Sequence, residues 1–364
     1  MMTHRERLLK VFRFEKVGML PNYDFGYWGE TIERWHKEGL PEDVRTNQDV
    51  ERYLGLEGYE LIPSLPINIG LYPYFEEKVL EDKGDHLVVQ DGAGVIYEKH
   101  KTSASIPKYL KFPIETRSDW ERFRDEHLDP DYPGRIDPDI RQKAELWRKE
   151  GWPIKVNGGS LYGWLRDWMG VENISIAIMT EKAWVEEMME HLTNLTLLVL
   201  ERIPEGTPVD YAHWWEDMCF NHGPLISPKL FEELMVPRYK RITDFLRERF
   251  GITVSVLDCD GQIYQLVPGW LRGGINCMFP IEAAHTDPLV LRERHGHQVL
   301  LIGGVDKRAL IAGKEAIDRE LERLIPLVED GGYIPTVDHR VPPDVSFENY
   351  CYYLEKKKDI LKLG

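Results

Sequence analysis

The sequence is short of positive charge. Its 46 Lys and Arg stand against 62 Asp and Glu, a formal net charge of −16 over 364 residues. Nucleic-acid binding draws its affinity mainly from cations set against phosphates, so that class is excluded. Anionic membrane surfaces are excluded on the same ground. Cysteines are few and scattered (Cys219, Cys259, Cys277 and Cys351), with no C-x-x-C pair. A disulfide framework is therefore not expected, and a reducing, cytoplasmic compartment is. No apolar run approaches the ~18–20 residues that span a bilayer. The basic stretch 1–18 lacks the apolar core of a signal peptide. Also missing are G-x-G-x-x-G, G-x-S-x-G, H-E-x-x-H, a Walker A loop and an early H-x-H. The dinucleotide, serine-hydrolase, zincin, P-loop and binuclear-hydrolase chemistries thus lack their signatures.

What is present describes a globular chain with a large core: 42% hydrophobic and 30% charged residues. Aromatics are plentiful at 11 Trp, 17 Tyr and 12 Phe, more than a core alone usually needs, which suggests an aromatic-lined pocket. From about residue 150 short apolar segments alternate with helical patterns. The segments 153–159, 209–215, 253–257, 275–279, 298–302 and 332–336 read as buried strands. A helix opens at Ser227–Pro228, an N-cap followed by Pro in the first turn, and stops before Gly251. Others open at Thr286–Asp287 and run near 312–328. Strands alternating with helices imply a parallel sheet covered by helices. Two earlier candidates, 21–25 and 59–63, raise the count to eight, and the expectation is an α/β fold, a (β/α)8 TIM barrel. The chain reads as a single barrel domain over 1–364, with an inserted hairpin and a polar, Pro-rich excursion around 86–135.

Active sites of such barrels form where the strands end. Five consecutive strands here run into ionisable groups: Glu216–Asp217, Asp258-Cys259-Asp260, Glu282, Asp306-Lys307-Arg308 and Asp338–His339. Asp258, Asp260 and His339 form the sharpest set, two carboxylates at i and i+2 with a distant imidazole, a donor group suited to zinc, iron or manganese. The alternative is that the carboxylates cap helices and His339 is an ordinary loop residue. Glu216 and Asp217, beyond Trp214–Trp215, are candidates for proton transfer, because burial against indole rings raises a carboxylate pKa. Glu216 with Glu282 also suggests the paired carboxylates of a glycosidase. Tyr23, Trp28, Tyr162 and Trp214, with Glu282, are expected to line the substrate pocket. A mouth bearing this many acids is expected to attract cations and repel polycarboxylates.

Several segments carry a family resemblance: THRERLLKVFRFEKVGMLPNY, NGGSLYGWLRDWMG, EDMCFNHGPLISPKLFEELMVPRYKRI, DCDGQIYQLVPGWLRGGINCMFPIE, LIGGVDKRALIAGKEAIDREL and GGYIPTVDHRVPPDVSFENY. In their order and spacing the chain resembles the uroporphyrinogen decarboxylase-like superfamily, which includes corrinoid-linked methyltransferases. The resemblance implies a (β/α)8 barrel. The decarboxylases carry an M-R-Q-A-G-R segment after the first strand to grip substrate carboxylates. Here the corresponding residues 23–30 are YDFGYWGE, without arginine, so decarboxylation of uroporphyrinogen is not expected. In the methyltransferase branch an H-x-C-G motif and a later Cys hold zinc. Aligned on Gly261, Asp258, Asp260 and His339 take those places. The resemblance thus implies a metal-dependent, corrinoid-linked methyltransferase acting on a small oxygenated or methylated molecule. In it Asp258, Asp260 and His339 would hold zinc or another divalent metal, while Glu216 and Asp217 handle protons. The partners expected are a small-molecule substrate, a corrinoid protein and a second copy in a homodimer. Neither nucleic acid nor membrane is among them. A cofactor-free decarboxylase of a small carboxylate or tetrapyrrole and a glycosidase-type hydrolase are the alternative activities.

Overall fold

The computed structural model describes residues 2–101 and 107–364. Six parallel strands make the central sheet: β1 (Lys155–Gly159), β2 (Tyr211–Trp215), β3 (Ser255–Asp258), β4 (Cys277–Ile281), β5 (Leu300–Val305) and β6 (Tyr333–Val337). Their spatial order is their sequence order, and helices lie between successive strands, as parallel neighbours require. Each strand begins one or two residues later than the hydrophobic pattern suggests, because hydrophobicity marks burial and not ladder pairing.

The segments expected as the first two strands are extended but irregular. Beyond β6, Val341 N–H donates to the Gly26 carbonyl (2.9 Å) and Trp28 N–H to the Val341 carbonyl (3.3 Å). Beyond β1, Lys155 N–H donates to the Pro63 carbonyl (3.0 Å) and Leu65 N–H to the Lys155 carbonyl (2.8 Å). Glu57 N–H joins the two segments through the Asn22 carbonyl (3.0 Å). Both sheet edges are thus met, an arrangement that fits a (β/α)8 barrel with two irregular staves.

Helix α1 (His4–Val11) is started by a capping box. Thr3 Oγ1 accepts from Glu6 N–H, and Glu6 Oε2 accepts from Thr3 N–H. Its Leu8, with Phe12 just beyond it, faces Tyr23, Tyr211, Val256 and Ile302, plugging the N-terminal end of the barrel. Helix α2 (Gly163–Met169) follows β1. The long helix expected after Ser227 is two pieces, Pro228–Leu234 and α3 (Val236–Phe250). Pro237 supplies no N–H and its ring crowds the preceding turn, so the helix breaks there. Gly251 closes α3 with φ 71°, a left-handed conformation that glycine adopts cheaply. Asp287 caps Pro288–His295, and the helix expected near 312–328 is found as Lys307–Ala312 and Lys314–Asp330, divided at Gly313.

Helix α4 (Phe347–Leu361) ties the ends of the chain together. Buried Asp24 accepts from Val337 N–H (2.8 Å) and from the Tyr350 (2.8 Å) and Tyr353 (3.1 Å) hydroxyls, with the buried Lys357 ammonium beside it. A separate four-stranded antiparallel sheet occupies Lys78–Asp82, His86–Gln90, Ile96–His100 and Lys108–Lys111. Among the described residues no helix is long and apolar enough to cross a membrane.

Candidate active site

Successive side chains of a strand point to opposite faces, so Tyr211, His213 and Trp215 of β2 share the barrel interior. Tyr211 lies low, in the layer plugged by α1. The His213 ring sits 5.8 Å from that of Tyr59, and the Arg166 guanidinium covers the Trp215 ring at 5.4 Å. Trp214, expected to wall the pocket, faces outward. It packs edge-on against Tyr239 of α3, and a Cβ on Gly158 would come within 2.4 Å of its ring. Tyr23 is likewise placed elsewhere: it is buried in the lower layer, paired with His4. Phe25, two residues on and about 7 Å further along an extended chain, reaches the upper layer instead. There it meets Phe279 edge-on at 4.6 Å, and Tyr59 stacks on Phe279 at 4.4 Å. These three rings form one aromatic cluster inside the barrel. Trp28, 46% exposed, lies over His339 at the rim.

The acids at the strand ends differ sharply in their surroundings. Glu216, expected to move protons, is fully enclosed. It accepts from the backbone N–H groups of Leu161 (2.8 Å), Tyr162 (2.8 Å) and Gly163 (2.9 Å), from Ser160 Oγ (3.1 Å) and from the Tyr239 hydroxyl (2.6 Å). Burial raises its pKa, and the Tyr239 hydroxyl with the three backbone N–H groups opposes the rise. The carboxylate therefore anchors the first turn of α2, satisfying N–H groups that have no helical partner. Tyr162, expected on the pocket wall, is buried in that same anchor. With Glu216 so engaged, a carboxylate pair of Glu216 with Glu282 has no free member on this side. Glu282 accepts from Gly261 N–H (2.9 Å) and from Lys307 Nζ (3.1 Å).

Asp217 meets Arg166 at 2.5 Å, with a backbone φ of 36° that turns the chain out of β2. Asp306 caps Lys307–Ala312 and binds Arg308. Asp338 accepts from the backbone N–H groups of Ala283 and Lys307, and burial raises its pKa to about 6. The mouth is therefore not an open field of negative charge. Most of its acids face a cation or backbone donors that a linear reading cannot assign.

Asp258 is the exception. Its Cα is in register with Trp215 and Phe279, which sets it between the aromatic cluster and the mouth. Among the described residues its carboxyl has no hydrogen-bond partner. Burial pushes its pKa well above the carboxylate range, the Asp260 and Asp217 charges push the same way, and Arg340 and Lys155 only partly oppose them. Lys155, from β1, carries its ammonium over the Tyr59 ring at 4.7 Å, and burial lowers its pKa. His213 is held neutral, burial first and Lys155 second lowering its pKa to about 3.

Asp258, Asp260 and His339 come to one region but not to one centre. Asp260 Oδ2 lies 3.4 Å from His339 Nε2, and its Oδ1 is buried without a partner. Burial disfavours charge on His339, but the Asp260 carboxylate outweighs it and the pKa is raised. A protonated imidazole cannot ligate through the nitrogen it presents to Asp260. Cys259 packs away against Cys219. Among the described residues, no group of three His, Cys, Asp or Glu side chains is placed to hold a metal ion. This donor set does not fit zinc.

Lys155, His213, Phe25, Tyr59 and Phe279 did not stand out in the linear sequence. The one available signal for His213 was the alternation in YAHWW, which sets it on the inward face with Tyr211 and Trp215.

The family model described as uroporphyrinogen decarboxylase (URO-D) matches residues 93–359, well over half of the chain. Among solved structures, a methyltransferase from Methanosarcina mazei superposes with a TM-score of 0.62 at 15% sequence identity, covering 99% of this chain and 99% of that chain. At that identity the likeness is one of fold. No curated protein matches the chain.

Proposed function

The chain belongs to the uroporphyrinogen decarboxylase (URO-D) family, and on that premise we propose that it transfers a methyl group from a small oxygen-linked donor, with Asp258 as the general acid. One observation carries this reading. Asp258 is a half-buried carboxyl without a hydrogen-bond partner among the described residues, in register with Phe279 of the aromatic cluster. Its raised pKa favours the protonated form, which can give its proton to a leaving oxygen. The methyltransferase neighbour of the same fold supports the choice of methyl transfer.

The step divides simply. Phe25, Tyr59 and Phe279 hold the apolar part of the donor molecule. An incoming nucleophile supplies the electron pair for the new bond to the methyl carbon, the old C–O pair stays on oxygen, and the Asp258 proton neutralises it. General-acid assistance of this kind is worth about 10²–10⁴-fold. Trp28 over His339, with the Asp260–His339 pair, flanks the approach. A corrinoid on a partner protein, which the family resemblance implies, would supply the nucleophile. Because the donor set does not fit zinc, no step is routed through it.

A panel of small methyl ethers, incubated with the protein and a reduced free corrinoid as acceptor, tests the reading by mass spectrometry of the demethylated product. Asp258→Asn is expected to lower the rate about a hundredfold or more while its melting curve stays cooperative. Equal rates in the two proteins would remove Asp258 from the chemistry. No product from any donor would remove methyl transfer.

Decarboxylation is a second reading, favoured by the cations Lys155 and Arg340, whose charges act on Asp258. Release of carbon dioxide from a small carboxylate without any acceptor would establish it in place of the first.

A further inference from the structure

Lys155 and His213 stand on the inward faces of the neighbouring strands β1 and β2, where Lys155 pairs with Tyr211 and Asn157 with His213. The long stem of Lys155 lifts its ammonium from the lower layer to the face of Tyr59, the ring that His213 also touches. His213 Nε2 is buried without a hydrogen-bond partner. Among the described residues Lys155 Nζ makes no hydrogen bond and no ion pair, only the contact with the Tyr59 ring. The acids whose charges act on the ammonium, Glu60 first, then Glu51 and Asp258, stand in no ion pair with it among the described residues. Buried polar groups are almost always paired, and an unpaired His213 nitrogen close to an unpaired ammonium points to a ligand that completes them.

We propose that Lys155 and His213 form, beside the aromatic cluster, an anion subsite that fixes the carboxylate of a small aromatic substrate. The class follows from the chemistry of the two groups. One ammonium with one neutral imidazole offers a single positive charge and two kinds of donor, which suits a monoanion; a phosphate dianion would call for more charge or a bidentate guanidinium. The rings of Phe25, Tyr59 and Phe279 supply a flat apolar surface beside that point, which an aromatic ring fills better than an aliphatic chain. Burial holds His213 neutral, so its imidazole adds a hydrogen bond and no second charge.

The proposal deepens the reading of this pocket as the reaction site but does not rest on methyl transfer, and its test uses binding alone. Titration calorimetry of the full chain with benzoate and with its uncharged isostere benzamide gives the comparison. Benzoate is expected to bind about tenfold or more tighter than benzamide. Lys155→Met, which keeps the stem and removes the charge, is expected to erase that advantage and leave benzamide affinity within about twofold. His213→Phe should weaken benzoate by a smaller factor. Benzoate and benzamide binding alike, neither binding at all, or Lys155→Met keeping the full preference would each overturn the subsite. If Lys155→Met does not fold, the wild-type preference together with His213→Phe decides. A preference for benzoate in a protein that demethylates nothing would keep the subsite and remove only the reaction proposed above.

Discussion

At the N-terminal end of the barrel Asp210 accepts from the backbone N–H of Ile154 (2.9 Å) and from Arg5 (2.9 Å) and Arg148 (3.0 Å). At the opposite end the half-buried Asp258 carboxyl accepts no hydrogen bond among the described residues. Both are carboxyl groups beside strands of one sheet, yet only the first is held in a hydrogen-bonded network. Around Asp210 one carboxylate takes three donors, with Arg148 Nε left unpartnered, and α1 with its Thr3–Glu6 capping box seals the layer. Around Asp258 lie an unpartnered imidazole nitrogen and an ammonium resting on a ring. The lower end is built to be stable, and the upper end keeps unspent binding capacity. A partly satisfied polar cluster is costly in the free protein, which is why its location marks function.

The largest test of this contrast is Asp210→Ala. It strips one acceptor from two arginines and a backbone N–H, and urea denaturation should show a loss of about 2–4 kcal/mol. A loss under about 1 kcal/mol would mean that the lower network is dispensable and the contrast false.

Glu51 sharpens the comparison from a third position. It is buried in the helix Asn47–Leu54, its Oε2 has no partner, and burial with the Glu60 charge raises its pKa from 4.5 to about 8. The folded protein therefore keeps a proton that the unfolded chain releases. Stability should fall as pH rises from about 4.5 to about 8 and level off above it. Glu51→Gln should flatten that slope, removing a dependence on the order of a few kcal/mol across the window. Identical slopes in both proteins would show that the carboxyl is satisfied in solution.

The smallest effect belongs to the rim. Arg308 is 65% exposed in its ion pair with Asp306. Arg308→Ala should change stability by less than about 0.5 kcal/mol and lose even that at high salt. A larger loss would mean that the rim is as consolidated as the lower layer.

Much of the frame was legible in the sequence because it is local. Six strands were visible as apolar segments, and Ser227, Asp287 and Gly251 marked helix ends through their own capping chemistry. The break before Pro237 was missed although its cause is also local, since one continuous apolar pattern crosses it. The site was legible only in part. Asp258, Asp260 and His339 were chosen from their places after strands, and they do gather in one region. Glu216 was chosen by the same rule and became an anchor for α2, because what separates a free carboxylate from an enclosed one is the set of donors around it. Those donors come from residues 160–163 and from Tyr239.

The sequence by itself determined the alternation of strand and helix, the excess of acid and the positions where strands give way to ionisable groups. All of these depend on residues close together along the chain. Only the tertiary structure decided which acids are spent on Arg166, Lys307 and backbone N–H groups and which one is left over. It also decided that Trp214 faces out while His213 faces in, and that Lys155 rises to meet His213 across two strands. Those outcomes depend on register and on neighbours from distant segments, and a buried group's protonation follows from them.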